Sequence, residues 1–476
     1  MEERVHRGLV TEVDKMSDKP VRGLLTLGEL TDLVERGEIE TVLAVFPDMY
    51  GRLMGKRIAG SFFVDTVAGH GMHACDYLLA CDMEMEVIPG YKYTSWETGY
   101  GDFHCVPDMA TLRRATWLPA TALVLCDLLN GHERPVEVSP RRMLQRQLAR
   151  ARDAGFRVMG GTEIELYAFE DSFAEARTKS YHDLRPMGAY NEDYHIFQGT
   201  KEEELIGAIR RHLDQSGVPI EVSKGEAGLG QQEINLRFSE ALTQADRNVL
   251  YKHAAKEIAW AQGKSVTFMA KWDEKHTGSS AHIHVSLWGE DGKNAFPGDR
   301  PTGPVQASDT FRWFLGGWIR HARAFAGFYA PYVSSYKRYQ SRSWAPTAIA
   351  WSYDNRTAGF RVVGHGPSLR IECRIPGADA NPYIAYAAAI AAGLDGIQNR
   401  IEPPDVFQGD IYAARELPRV PGTLREAIAE LEQSEVAREA FGADVTEHYL
   451  HFLKTEQRKF DEVVTCWERA RYFERA

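Results

Sequence analysis

Four stretches of this chain alternate apolar and ionisable residues with a period of two. In GTEIELYAF, Glu163 and Glu165 sit two apart, interleaved with Ile164 and Leu166. QQEINL carries Glu233, AHIHVSLW carries His282 and His284, and SLRIECRI sets Arg370, Glu372 and Arg374 against Leu369, Ile371 and Cys373. Successive strand side chains point to opposite faces, so each stretch turns its ionisable groups one way and its apolar groups the other. Strands of this kind fit a sheet with a core behind it and a wet, ligand-facing cavity in front. Gly160 and Gly161, just before the glutamate pair, let the backbone pass close to a neighbour.

The residue types in that cavity narrow the chemistry. Glu163, Glu165, Glu226, Glu233, Glu372 and a histidine offer hard oxygen ligands plus one imidazole. That set suits Mg²⁺ or Mn²⁺ and not a zinc–thiolate site. Five carboxylates together repel one another unless two or more cations neutralise them. Lys337, Arg338, Arg342, Arg356, Arg361, Arg370 and Arg374 supply a basic set. Guanidinium forks match carboxylate and phosphoryl oxygens. Divalent ions beside arginines point to phosphates. The glycine-rich KGEAGLGQQE, with Glu226 at its entry, is no phosphate loop, since neither G-K-S/T nor a helix-opening G-x-G-x-x-G is present.

A length of 476 residues suggests two domains or more. The net charge of −11 argues against nucleic acid and anionic membranes as partners, though a local basic cluster still admits a small anion. No run of 18 apolar residues is present, so no membrane span is expected. The N-terminus is polar and mixed in charge, unlike a signal peptide. Six scattered cysteines without a C-x-x-C pair read as reduced, mostly buried and cytoplasmic.

Residues 1–20 read as a flexible arm, 21–132 as a small domain mostly of strands, and 133–476 as a large α+β domain with an antiparallel-leaning sheet and flanking helices. Expected helices are TLGELTDLVERG, SPRRMLQRQLARARDAG with Ser139 as cap, KEEELIGAIRRHLDQSG, SEALTQADRNVLYKHAAKEIAWAQG, DTFRWFLGGWIRHARAFAGFYAP, NPYIAYAAAIAAGLDGI and most of the last 55 residues. Expected strands include TVLAVFPD, RLMGKRIAG, TALVLCDL, SVTFMAKW and GFRVVG besides the four above. Residues between RLMGKRIAG and TALVLCDL read as turn-rich.

The constellation resembles the glutamine synthetase family. The matching stretches are FPDMYGRLMGKRI, GTEIEL, GEAGLGQQE, FMAKW with GSSAHIHVSL, SYKR, NRTAGFR and LRIECRIPGADANPY, in family order over nearly the whole chain. The resemblance implies a small β-grasp domain and a large catalytic domain with a curved sheet. It also implies rings of subunits, usually a dodecamer of two hexamers, and a reaction in which ATP activates the γ-carboxylate of L-glutamate for attack by ammonia. By that resemblance Glu165, Glu226 and Glu233 hold the first ion and Glu163, His282 and Glu372 the second. Arg338 and Arg374 clamp the glutamate carboxylate, and Gly278 lies in the loop over it. Arg356 stabilises the moving phosphoryl group, while His284, Arg361 and Arg370 lie by the nucleotide.

The chain departs from the family at the nucleophile pocket. Ammonia-using members continue after SYKR roughly as L-x-P-G-Y-E-A-P, whereas this chain reads SYKRYQSRSWAP, so Trp344 replaces the glutamate that takes the ammonium proton. Trp cannot be a base, but it can line an apolar wall or face a cation. The usual F-D-G-S-S is also absent near MHACDYLLACDMEM, leaving Asp76, Asp82 and Glu84 to compete for the second ammonium-binding acid. Thr277 and Ser280 replace the usual Asn and Gly around Gly278, a change read as tuning. The pattern resembles the branch that makes γ-glutamyl amides from primary amines larger than ammonia. The alternatives are an ammonia-using glutamine synthetase with a rearranged site, and a non-catalytic structural or regulatory homologue.

Overall fold

A computed structural model describes residues 21–191 and 193–476; the arm expected over 1–20 lies outside the described residues. The chain is α+β, with two main mixed sheets flanked by helices.

The first sheet uses β1 (Thr41–Pro47), β2 (Leu53–Ala59), β3 (Met72–Cys75), β4 (Asp102–Pro107), β5 (Arg113–Arg114) and β6 (Thr121–Leu129). Its order is β2-β1-β6-β4-β3, with β5 also on β6, and β1 pairs parallel with β6. Three of these strands, β3, β4 and β5, fall in the stretch read as turn-rich. Each is short and flanked by polar loop, so its pattern is weak until its neighbours supply hydrogen bonds. Before β1, the helix Leu27–Glu35 starts on a reciprocal capping box between Thr26 and Glu29.

The second sheet adds β7 (Arg157–Phe169), β8 (Ile220–Gly225), β9 (Gln231–Glu240), β10 (Ser265–Thr267), β11 (Ala281–Trp288), β14 (Trp351–Tyr353), β15 (Phe360–Val363) and β16 (Arg370–Cys373), while β12 (Pro297–Thr302) and β13 (Val305–Ala307) form a separate hairpin. Its order is β14-β15-β16-β11-β7-β9-β8, with β10 on the end of β7. Every pairing in it is antiparallel except β14 with β15. On the reverse face Ile164, Leu166, Ile234 and Leu236 pack with helices Ile196–Gln215 and Ala241–Ala261. Burial of each such side chain contributes about 1.5–3 kcal/mol. Helix Pro382–Asn399 is buried on nearly all sides, as its alanine-rich sequence predicts.

Several expected elements change on folding. SVTFMAKW keeps only the three residues of β10 as strand. The helix expected through DTFRWFLGGWIRHARAFAGFYAP breaks into Asp309–His321 and Ala326–Tyr329. The break tightens to a three-residue-spaced bond from Ala322 N–H to Ile319 O, and it turns Phe325 and Phe328 both into the core. Ser139 does precede the helix Pro140–Asp153, but its hydroxyl makes no capping bond.

The two sheets are joined through their interior. One continuous apolar core takes in Val42, Phe46 and Phe103 of the first sheet, Ile283 and Ile371 of the second, and Tyr449 and Phe452 near the C-terminus. Asn381 Nδ2 donates to Asp48 O at 3.2 Å and Met49 O at 3.1 Å. Arg141 is buried between Asp108 and Asp127 on one side and Asp246 of helix Ala241–Ala261 on the other, at 2.6, 2.5 and 3.0 Å.

Candidate active site

The register of the second sheet lines up the charged residues. Glu165 of β7 lies opposite Glu233 of β9, and Glu163 opposite His282 of β11. His284 lies opposite Glu372 of β16, which in turn lies opposite Arg361 of β15. A cavity of about 830 Å³ opens in front of this row. Glu163, Glu165, Glu226, Glu233, Gly278, His282, Arg338, Trp344, Arg356, Arg361 and Arg374 all line it, while His284, Arg370 and Glu372 are not among its lining residues.

Three carboxylates, Glu165, Glu226 and Glu233, converge with ligand oxygens within 4.8 Å of one another. Burial raises the pKa of each, and repulsion adds to it: Glu165 is pushed up to about 7 with Glu226 beside it, and Glu233 to about 9 by Glu163, Glu165 and Glu226. Lys224 partly offsets this, its ammonium 2.6 Å from Glu226 and 2.9 Å from Asp193, over the ring of Tyr194. Two further groups, Glu163–Glu233–His282 and Glu163–His284–Glu372, also bring ligand atoms within 4.8 Å. No thiol is among these donors. Clustered carboxylates with one neutral imidazole therefore fit hard divalent cations, whose charge relieves the repulsion.

The two histidines differ in their partners. His282 Nδ1 lies 3.3 Å from Glu163 and 3.4 Å from Glu372. Burial and the Arg374 charge hold its pKa down to about 4, so the ring is neutral and able to ligate. His284 accepts a hydrogen bond at Nδ1 from Arg370 Nε at 3.2 Å. Its Nε2 lies 3.2 Å from Glu163 Oε1. His284 thus sits between Arg370 and Glu163, and with Glu163 and Glu372 it makes up one of the three groups whose ligand atoms converge.

Burial alone would keep Glu372 neutral. The Arg374 guanidinium, the largest favourable influence, overcomes that and the carboxyl is held down to about 2. Its oxygens take Arg374 Nη1 at 2.6 Å and Arg361 Nη1 at 2.9 Å. Arg374 Nε is buried without a partner, leaving a donor for an anion. Arg356 has neither hydrogen-bond nor ion-pair partner among the described residues and reaches the cavity free. Arg338 is instead held by the chain itself, donating to the carbonyls of Arg374, Ile375 and Pro376 at 2.8, 2.9 and 3.1 Å. Those bonds leave Nε and one Nη1 hydrogen for other use. A Cβ on Gly278 would lie 2.5 Å from Arg338 Cγ and 2.8 Å from Ala270 O, so the close approach demands glycine.

Trp344 lines the same cavity at 60% exposure, between Ser343 and Ala345. Its φ of 63° is left-handed, a conformation that costs a non-glycine residue on the order of 1–2 kcal/mol. Ser343 Oγ donates to Arg338 O at 3.1 Å, and Tyr412 donates to Ala345 O at 2.8 Å, so the loop is tied on both sides. Asp76, Asp82 and Glu84 do not line the cavity. Asp76 accepts from Thr94 Oγ1 at 2.7 Å, and Lys459 holds Asp82 and Glu84.

Sequence reasoning missed Gln231 and gave Ser280 a different part. Gln231 Nε2 donates to Glu165 Oε2 at 2.8 Å and to Gly278 O at 3.1 Å, joining a carboxylate to the glycine loop. Ser280, read as tuning the glycine loop, donates both its N–H, at 3.0 Å, and its hydroxyl to Glu165. Neither residue is ionisable, so charge patterning gives no signal for them.

With this geometry established, comparison with known proteins places the chain. Residues 137–472 match the glutamine synthetase catalytic domain. The chain belongs to the glutamine synthetase family. Within it, the chain sides with the γ-glutamyl amide ligase branch. It is 46% identical over 451 residues to a γ-glutamylethanolamide synthetase, GlnA4, of Streptomyces coelicolor, covering 95% of this chain and 96% of that one. It is 33% identical to a glutamate–isopropylamine ligase of a Pseudomonas species, covering 94% and 97%. A solved GmaS/ADP complex superposes with a TM-score of 0.82 at 28% identity, over 94% of this chain and 99% of that one.

Proposed function

We propose that this protein is an ATP-dependent ligase that joins the γ-carboxylate of L-glutamate to a primary amine larger than ammonia, through a γ-glutamyl phosphate. The single observation that carries the specificity is Trp344 on the cavity wall, at the position where the resemblance to the family implies a glutamate in ammonia-using members. An indole there removes a charged ammonium partner and supplies an apolar surface for an alkyl group. Ethanolamine and isopropylamine are the first amines to test, from the names of the two relatives.

In this reading Glu165, Glu226 and Glu233 hold one Mg²⁺ or Mn²⁺, and Glu163, His282 and Glu372 hold another. Bound there, the ions supply neutralising charge to phosphate oxygens. Arg374, with its unpaired Nε, and Arg338 receive the glutamate carboxylate, and Gly278 lets the loop close on it. Arg356 meets negative charge as the γ-phosphoryl group moves, and Arg361 reaches the nucleotide phosphates. His284 and Arg370 support that side from behind Glu163. Enclosure of the acyl phosphate keeps water from competing with the amine. We further propose that 21–132 and 133–476 form a β-grasp and a catalytic unit, that subunits assemble as a dodecamer of two hexameric rings, and that the protein works in the cytoplasm.

The test is glutamate-dependent phosphate release from ATP with a panel of amines and ammonia, with amide formation followed by mass spectrometry. The expected result is a higher kcat/KM for an alkylamine or alkanolamine than for ammonia. A highest kcat/KM with ammonia overturns the specificity.

A further inference from the structure

Glu165 is surrounded by donors to an extent that its neighbours in the cluster are not. Its Oε2 accepts from Ser280 N–H at 3.0 Å and from Gln231 Nε2 at 2.8 Å, and its Oε1 accepts from the Ser280 hydroxyl. The same two residues also meet through the backbone, where Glu165 N–H donates to Ser280 O at 2.9 Å. Gln231 is fixed in turn, since its Oε1 accepts from Gly228 N–H at 3.0 Å. Ser280 and Gln231 are both buried. By contrast the side chain of Glu226 takes one hydrogen bond, from the ammonium of Lys224.

A carboxylate oxygen has two lone-pair directions in its plane. Two donors fill those of Oε2, and the hydroxyl fills one on Oε1. One lone pair, on Oε1, remains for a cation.

We propose that Ser280, with Gln231 behind it, is a positioning residue for the first metal ion: its hydroxyl and N–H lock the Glu165 carboxylate into a one-oxygen, Oε1-only ligand aimed at Glu226 and Glu233. This rests on the reading of Glu165, Glu226 and Glu233 as a cation site and adds a residue that no charge or ligand pattern identifies. Partners that orient a ligating group typically account for about 10–100-fold in metal affinity. Ser280→Ala removes the hydroxyl donor but keeps the backbone one, so a loss near the lower end, about 10-fold, follows. Ser280→Thr keeps the hydroxyl and retains affinity.

The experiment measures Mn²⁺ binding to the metal-stripped full-length protein, by the EPR signal of free Mn²⁺, for wild type, Ser280→Ala, Ser280→Thr and Glu165→Ala. Far-ultraviolet circular dichroism and the melting temperature without metal report folding. The expected result is weakened binding at one site class in Ser280→Ala, restored in Ser280→Thr, with metal-free folding unchanged. Wild-type Mn²⁺ affinity in Ser280→Ala overturns the proposal. Should Ser280→Ala lose metal-free stability, Gln231→Leu, which removes the other donor, replaces it in the same assay, and wild-type affinity there overturns the proposal equally. Wild-type binding by Glu165→Ala instead sinks the cation site itself, a separate outcome.

Discussion

Glu163 and Glu165 sit two residues apart on β7 yet face different surroundings. Glu165 is driven toward its neutral form by burial and by Glu226, while Glu163 is lowered despite burial by its contacts with His284 and by the hydrogen bond from His282. Of these two, Glu165 is thus the carboxylate that gains more from a nearby cation. Glu165→Ala is expected to lower turnover at least about 100-fold at ordinary metal concentration, as loss of a key electrostatic group does; near-normal steady-state rates would remove it from the metal shell. Trp344→Glu is expected to reduce kcat/KM for the larger amine by about 10-fold or more, equivalent to about 1.4 kcal/mol of transition-state stabilisation. Use of ammonia should rise at the same time, and an unaltered amine ranking would show that the indole does not meet the nucleophile.

Among the elements, β7 packs directly against a helix beside the site. A Cβ on Gly160 would lie 2.9 Å from the Tyr386 ring, and Tyr386 donates to Gly161 O at 2.6 Å. The glycine pair lets helix Pro382–Asn399 press directly on the strand, two residues before Glu163. A register shift in the β7–β9 pairing falls at the same place. Gly160→Val is expected to destabilise by about 1–3 kcal/mol through overpacking, and to weaken metal binding because the strand is displaced. Denaturant unfolding and Mn²⁺ titration check the two effects, and a fully stable variant with wild-type metal affinity would show that Tyr386 does not set the strand.

At the scale of the molecule, Arg141 ties the first sheet to helix Ala241–Ala261 through three aspartates, and Tyr383 adds a bond to Asp246 at 2.6 Å. Arg141→Met leaves those acids without their counter-charge and is expected to cost about 3–5 kcal/mol, read as a lower denaturation midpoint. Divalent ions should act in the opposite direction. At 100 times its Kd, a cation that binds only the folded state adds about 2.7 kcal/mol, so Mg²⁺ should raise Tm and a chelator reverse it. A Tm indifferent to both would remove the cation cluster from the account.

Alternation of ionisable and apolar residues is a local property of extended backbone. It dictates that Glu163 and Glu165 share a face, as do Arg370, Glu372 and Arg374, and the order of motifs marks the family. Strand register and packing decided the rest: that Glu165 meets Glu233, that Arg338 spends three donors on carbonyls of its own chain, that Asp82 turns to Lys459, and that Ser280 and Gln231 hold a carboxylate. The short strands β3 and β4 likewise exist only through their partners. Side-chain direction follows from the dihedrals of one residue, whereas partnership depends on groups distant in the chain arriving at hydrogen-bond distance, which no local pattern encodes.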